Sequence, residues 1–295
     1  MRFHEPVMTQ EVLAFLQPAR GGVFVDCTVG MGGHSLAMLR AGATRVIGLD
    51  RDESALEMAG QTLAEFHSRV ELVLSDYRAV ASVLDARGID RVDGALTDMG
   101  MSSFQLEAEG RGFSFQLDAP LDMRMDRSTG PTAADLLRQA SEEEIADAIY
   151  RFGEERFSRR IARRIVESRT EAPIATTAQL AALVRRAVPH RGYVRIDPAT
   201  RTFQALRIWV NRELEGIHAF LTTLTGRLKV GARLVVIAFH SLEDRIVKHT
   251  LRALGQGSAA RVRVLTRKPV VAQPGEIERN PRARSAKLRA AECAA

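Results

Sequence analysis

The chain has 295 residues, 45% of them hydrophobic, with 42 basic against 36 acidic side chains and a formal charge of +6; that length holds one large or two modest domains with a sizeable core. No stretch approaches the roughly 20 apolar residues of a membrane span, the amino terminus Met1-Arg2-Phe3-His4-Glu5-Pro6 lacks a secretory hydrophobic region, and two cysteines, Cys27 and Cys293, are too few for a disulfide framework or a metal cluster. A cytoplasmic protein with reduced thiols and no membrane partner is expected.

In chain order, Val7 to Leu16 reads as an entry helix, Gly22 to Asp26 as a first strand and Ser35 to Arg40 as its helix. The alternation continues with a strand Val46 to Asp50, a helix Asp52 to Phe66 that Asp52 caps, a strand Val70 to Leu74, a helix Arg78 to Arg87 and a strand Val92 to Asp98. Four such strands imply a parallel, doubly wound sheet. After Ser103 the rhythm stops. A loop through Gly130 leads into helices near Ala133 to Gln139, Glu142 to Tyr150, Glu154 to Arg169 and Thr176 to Ala187, which read as a helical insertion. Thr202 to Leu224 is then helical in period, Ala232 to Phe239 is an unbroken apolar strand, and Leu242 to Leu254 is a helix. A last strand, Arg261 to Leu265, would close the sheet and leave a basic tail without a predicted place. The expected organisation is residues 1–106 as the first part of an α/β domain, 107–198 as the helical insertion and 199–295 as the second part with its tail.

The chemistry concentrates where strands end. Asp26-Cys27-Thr28-Val29-Gly30-Met31-Gly32-Gly33-His34-Ser35 places an acid, a glycine turn and a helix start in succession, and Asp50 closes the next strand twenty residues beyond Gly30. Glycines let backbone N–H groups approach a ligand, the helix points its positive end there, and an acid at this spacing accepts both hydroxyl hydrogens of a ribose. The turn lacks the last glycine of a dinucleotide fingerprint, Ser35 standing there, and so fits S-adenosyl-L-methionine better, with Asp26 placed for the methionine ammonium. An NAD-dependent oxidoreductase and a nonenzymatic RNA-binding factor remain alternatives on these residues alone.

Ligands of open α/β sheets sit beyond the carboxyl ends of the strands. Asp76 and Tyr77 there suit an adenine amino group and a stacked base; Asp98 and His240 flank the reactive end of the cofactor, although Asp98 also suits a turn cap and His240-Ser241 also suits a helix cap. No His/Cys/Asp spacing specific to a metal stands out. From Gln256 onward nine basic residues stand against three acidic ones, the whole of the formal charge, and Arg151 to Arg164 adds a second basic run. Such runs suit a polyanion, although Glu154, Glu155 and Glu167 offer helix-face pairing to the second.

Gly30-Met31-Gly32-Gly33-His34-Ser35, Arg111-Gly112-Phe113-Ser114-Phe115, Pro120-Leu121-Asp122-Met123-Arg124-Met125-Asp126, Gly153-Glu154-Glu155-Arg156-Phe157, Pro198-Ala199-Thr200-Arg201-Thr202-Phe203-Gln204-Ala205-Leu206-Arg207, Phe239-His240-Ser241-Leu242-Glu243-Asp244-Arg245 and Asn280-Pro281-Arg282-Ala283-Arg284-Ser285 together resemble the RsmH (MraW) family nearly end to end. The resemblance implies a Rossmann-like class I methyltransferase sheet with an inserted helical domain. It implies an S-adenosyl-L-methionine-dependent enzyme that methylates the N4 amine of a cytidine in the decoding region of 16S rRNA, within the small ribosomal subunit. It carries cofactor contacts to Gly32, Gly33, His34, Asp50, Tyr77, Asp98 and Gln105, which join Asp26 and Gly30 from the turn. Tyr77 stands where Phe is common, Phe104 where proline is frequent, and Asp197 where His or Asn is usual.

Cytosine N4 is a poor nucleophile, so the expected catalytic roles are Asp98, or backbone carbonyls near it, orienting the amine and His240 accepting its proton, with service to the cofactor alone as the alternative for Asp98. Arg159, Arg160, Arg163, Arg201, Arg207, Arg282 and Arg284 are the expected phosphate contacts. Whether the protein forms a homodimer is open at this level.

Overall fold

The computed structural model describes residues 6–100, 110–189, 197–257 and 260–294. The chain divides into two compact units, residues 1–100 with 215–295, and residues 101–214.

The first unit begins with α1 (Thr9–Leu16), β1 (Val23–Asp26), α2 (Gly33–Arg40), β2 (Arg45–Asp50), α3 (Glu53–Thr62), β3 (Val70–Leu74), α4 (Val80–Asp85) and β4 (Val92–Asp98). Phe24, Val25, Val46, Ile47, Ala95 and Leu96 are all buried, as strands covered on both faces require, and their apolar runs are therefore unbroken rather than alternating. Asp52 caps α3 by accepting the Ser54 N–H at 3.2 Å, which fixes where β2 gives way to helix. β1 pairs in parallel with β2 on one side and β4 on the other, with Asp26 opposite Gly48 and Leu96. The strand order reverses at β1, and that crevice is where ligands of such sheets bind.

The second unit contains α5 (Ala133–Gln139), α6 (Glu142–Gly153), α7 (Ser158–Glu171), α8 (Thr177–Ala187) and α9 (Ala199–Asn211). Capping boxes start three of these helices, Thr132 with Asp135, Ser141 with Glu144 and Thr176 with Gln179. Ile145, Ile149, Ile161, Ile165, Leu180, Val184, Phe203 and Leu206 form their common core. Arg169 donates to the Leu137 and Ala140 carbonyls at 2.6 Å each, closing the C-terminus of α5. Asn211 ties the Met123 to Met125 segment down, accepting the Met125 N–H and donating to the Met123 carbonyl, both at 2.7 Å.

The chain then returns to the first unit with α10 (Ile217–Gly226), β5 (Leu228–Ala238), α11 (Ser241–Leu254), β6 (Val262–Val264), α12 (Pro274–Arg279) and β7 (Lys287–Cys293). The sheet has seven strands in the order β3-β2-β1-β4-β5-β7-β6, parallel through β5 and antiparallel at β7 and β6. The fold is the expected Rossmann-like α/β sheet interrupted by helices.

Four local expectations are corrected. The Arg261 to Leu265 strand exists but lies at the sheet edge, and the basic tail supplies β7, which fills the place between it and β5. The helix read from Thr202 to Leu224 is two helices, broken where Arg212 and Gly216 adopt positive φ (50° and 74°). The first of these, α9, packs on α6 and shares the core of the helical unit, so that unit extends past residue 198, to 214. The helix read from Glu154 to Arg169 starts only at Ser158, because Glu154, at φ 50°, ends α6 in a left-handed turn. No helix among the described residues is long and apolar enough to cross a membrane.

Candidate cofactor site

The turn after β1 is fastened on both sides before any side chain is considered. Cys27 N–H donates to the Leu96 carbonyl and Val29 N–H to the Leu49 carbonyl, each at 2.8 Å, so the loop hooks onto the ends of β4 and β2. Gly48 in β2 makes room for it: a Cβ there would come within 2.9 Å of Val29 Cγ2. Gly30 and Gly32 take positive φ (52° and 86°), and Gly32 opens α2 with no side-chain cap. The backbone thus faces the crevice unobstructed.

Three acids arrive at this edge from three adjacent strands. Asp50, at the end of β2, accepts the Gly30 N–H at 2.9 Å on one oxygen and the Asp52 N–H at 3.0 Å on the other. Burial pushes its pKa up, and these two N–H groups oppose the shift. Each carboxylate oxygen keeps a second lone pair for a hydroxyl donor. Asp26 ends β1 fully buried, accepting from Ser35 Oγ at 2.7 Å and from Thr28 N–H at 3.3 Å. Burial drives its pKa up to about 6 against the opposing charge of His34. Asp98 ends β4, and its backbone N–H donates to Thr28 Oγ1 at 2.7 Å. His34, in the first turn of α2, sets Nε2 3.7 Å from Asp98 Oδ2.

Tyr77 lies beyond β3 in a short 3₁₀ turn, its ring packed edge-on against Phe220 of α10 with centroids 4.6 Å apart. Burial pushes its phenol up to about 12, so it is neutral at physiological pH. Asp76 is committed to Arg78, which reaches its two oxygens at 2.8 and 2.7 Å, and it also accepts the Arg78 N–H. Its carboxylate is therefore engaged within its own turn rather than free for a base.

His240 caps α11. Its Nδ1 accepts the Glu243 N–H at 3.4 Å, its Nε2 stands 3.1 Å from Glu243 Oε1, and Glu243 Oε2 accepts the Phe239 N–H at 3.1 Å. Of the two readings of His240 offered by the sequence, the geometry shows the helix cap through Nδ1, and it leaves the buried Nε2 without a hydrogen bond among the described residues. Gln105 lies outside the described residues.

The arginines separate into two kinds. Arg159, Arg160 and Arg163 are exposed on α7, Arg163 standing 3.7 Å from Glu142. Arg201 is exposed beside Glu155 at 3.7 Å, and Arg284 is exposed on the tail, with Arg282 half-buried. Arg207 is instead held bidentately by Glu213 at 2.9 and 2.8 Å, so its guanidinium serves the helical unit itself. Arg289, counted in the basic tail, is buried in β7 and paired with Asp244 at 2.6 and 3.1 Å.

Sequence reasoning missed Thr28, Ser35, Phe220 and Glu243. Ser35 stood in view in the place of a glycine, and a hydroxyl beside a strand-end acid was the signal that Thr28 and Ser35 serve Asp98 and Asp26. Phe220 had no local signal, since only the tertiary fold brings α10 to Tyr77.

The residues present fit a cationic adenosyl cofactor. The buried Asp26 and the partly exposed Asp98, faced by the single imidazole of His34, suit a ligand carrying positive charge, and a doubly anchored Asp50 suits a ribose; a dinucleotide's phosphates would meet these carboxylates. The MraW methylase family profile matches residues 1–294. Relatives named Ribosomal RNA small subunit methyltransferase H include the Bradyrhizobium diazoefficiens protein, 50% identical over 98% of this chain and 91% of its own length, and the Geotalea uraniireducens protein, 48% identical over 98% of each. The Kosmotoga olearia protein of that name is 50% identical over 98% of this chain and 97% of its own. With a strand-end acid triad, a glycine turn and a match of this extent, the chain belongs to the MraW methylase family.

Proposed function

We propose that this protein methylates the N4 amine of a cytidine in the decoding region of 16S rRNA, using S-adenosyl-L-methionine and acting on the small ribosomal subunit in the cytoplasm. The observation that carries the reading is the convergence of Asp26, Asp50 and Asp98 on one crevice beside the Gly30 to Gly33 turn. Full-length similarity to proteins named for small-subunit rRNA methylation supports the substrate class.

When bound, S-adenosyl-L-methionine supplies a methyl group already activated on a sulfonium. Asp50 is placed to accept the ribose hydroxyls, Asp26 to receive the ammonium and Tyr77 to line the base, while Gly32, Gly33 and His34 provide the backbone edge. Gln105 joins this set by the family pattern. Asp98 faces the amine. Because the N4 lone pair is delocalised into the pyrimidine ring, an acceptor that holds an amino hydrogen turns the lone pair toward the methyl carbon, and alignment dominates the rate. The target base must be unpaired or flipped to reach this crevice. Exposed Arg159, Arg160, Arg163, Arg201 and Arg284, with Arg282, are the proposed phosphate contacts.

Equilibrium dialysis against S-adenosyl-L-methionine and NAD, followed by methyl transfer to unmethylated small subunits, tests the reading. Selective binding of the first and transfer to the subunit RNA are expected. Preferential NAD binding would contradict it.

A further inference from the structure

His34 is 6% exposed, yet neither of its ring nitrogens makes a hydrogen bond among the described residues. Asp98 Oδ1 beside it is buried and has no hydrogen-bond partner among the described residues either, while Asp98 Oδ2 lies 3.7 Å from His34 Nε2. A polar group buried without a partner is destabilising, since it has given up water for nothing. Two such groups facing each other at the end of β4 are accounted for by work done when the site is filled.

The charged groups acting on this corner are Asp26 from β1 and Asp98 from β4. Asp26 is neutralised in part by burial, which lifts it to about 6, and is occupied by Ser35 and Thr28. Cys27, next on the chain, is pushed up by burial and stays a neutral thiol. The elements packed on α2 are α1, α3 and β2, and their acids Glu11, Glu53, Glu57 and Asp50 do not come within ion-pair distance of the His34 ring. The other imidazole at the site, His240, has one nitrogen committed to its own helix, Nδ1 accepting the Glu243 N–H, and its Nε2 lies 3.1 Å from Glu243 Oε1 without a hydrogen bond, whereas both nitrogens of His34 are uncommitted among the described residues.

We propose that His34 acts through Asp98 as the proton store of the reaction, so that a proton leaving the attacking amine passes to Asp98 and is held on the His34 ring. This rests on the cytidine-N4 reading. In balance, the amine lone pair forms the bond to the methyl carbon while the carbon–sulfur bond breaks with its electron pair on sulfur. The nitrogen then sheds one N–H proton to Asp98, Asp98 passes it to Nε2 and recovers its charge, and His34 becomes imidazolium. Solvent removes that proton between turnovers. Asp98 meets the amine; His34 is a positioning residue that sets how readily Asp98 can take the next proton.

Two measurements on the full chain test this. In the first, histidine-ring NMR of the ligand-free protein follows His34, identified by the resonance that His34→Gln removes. Asp98→Asn should move the His34 ring-nitrogen resonances and leave those of His240 in place, because the Asp98 carboxylate is the group 3.7 Å from His34 Nε2. In the second, single-turnover transfer to unmethylated subunits at saturating donor is followed against pH. The wild-type rate should rise with pH through one ionisation. His34→Gln should abolish that ionisation and slow transfer by about tenfold or more, with a smaller loss in donor affinity. Unchanged His34 ring resonances in Asp98→Asn, or a wild-type pH profile in His34→Gln, overturn the proposal while N4-methylcytidine remains the product. A methyl mapped to a ring carbon overturns the underlying reading as well, since no amine proton would then be lost.

Discussion

The Asp50 carboxylate takes its orientation from the Gly30 and Asp52 N–H groups, so the group proposed to bind the ribose is preset by backbone donors on either side of it. Asp50→Ala removes charge-assisted hydrogen bonds to two hydroxyls, and isothermal titration should show donor affinity falling by at least about tenfold. Asp26 carries the opposite balance of stability and function. Burial raises its pKa from 3.8 to about 6, so the folded protein holds this proton more tightly than the unfolded chain does. The resulting stability is fully present below pH 3.8 and is lost as pH rises through about 6, a contribution of about 3 kcal/mol. Asp26→Asn cannot ionise. Melting curves of the two ligand-free proteins should therefore diverge in the variant's favour between about pH 4 and about pH 7, while donor binding weakens. A wild type that gains on the variant across that window would contradict the assignment. These acids were legible because they close apolar strands. The cap role of His240 was legible only as one of two uses of the ring, because the sequence does not say which nitrogen meets the Glu243 N–H.

At the scale of elements, β1 to β4 and their helices were readable from apolar runs bounded by Asp and Gly, since a parallel strand buried on both faces leaves little ambiguity. β7 was hidden. Lys287-Leu288-Arg289-Ala290-Ala291-Glu292-Cys293 mixes charges with small residues, and its arginine became understandable only once Asp244 was beside it. The Arg289 side chain is 6% exposed, so Arg289→Ala leaves Asp244 without its partner in the sheet's interior and should cost about 3 kcal/mol or more in urea-induced unfolding. A loss within error of zero would mean that β7 is not held by this pair. The boundary near α9 was missed for a related reason: helical period continues across Arg212, and a left-handed residue that is not glycine gives no warning in sequence.

Across the whole molecule, the formal charge of +6 is unevenly available to a polyanion. Arg207 and Arg289 are consumed by Glu213 and Asp244, whereas Arg159, Arg160 and Arg163 are exposed along one helix. Replacing these three together by alanine should weaken subunit RNA binding and flatten its log–log salt dependence by roughly two to three units of slope. An unchanged slope would remove α7 from the interface. The fold and cofactor class follow from local patterns, but the substrate atom does not, because nothing in a strand-end acid specifies which amine it meets. Mass-spectrometric mapping of 16S rRNA after incubating unmodified small subunits with the protein and S-adenosyl-L-methionine decides that point. The account predicts one new methyl group, on the exocyclic N4 of a single decoding-region cytidine; a methyl on any other atom or nucleotide, or none at all, would contradict it.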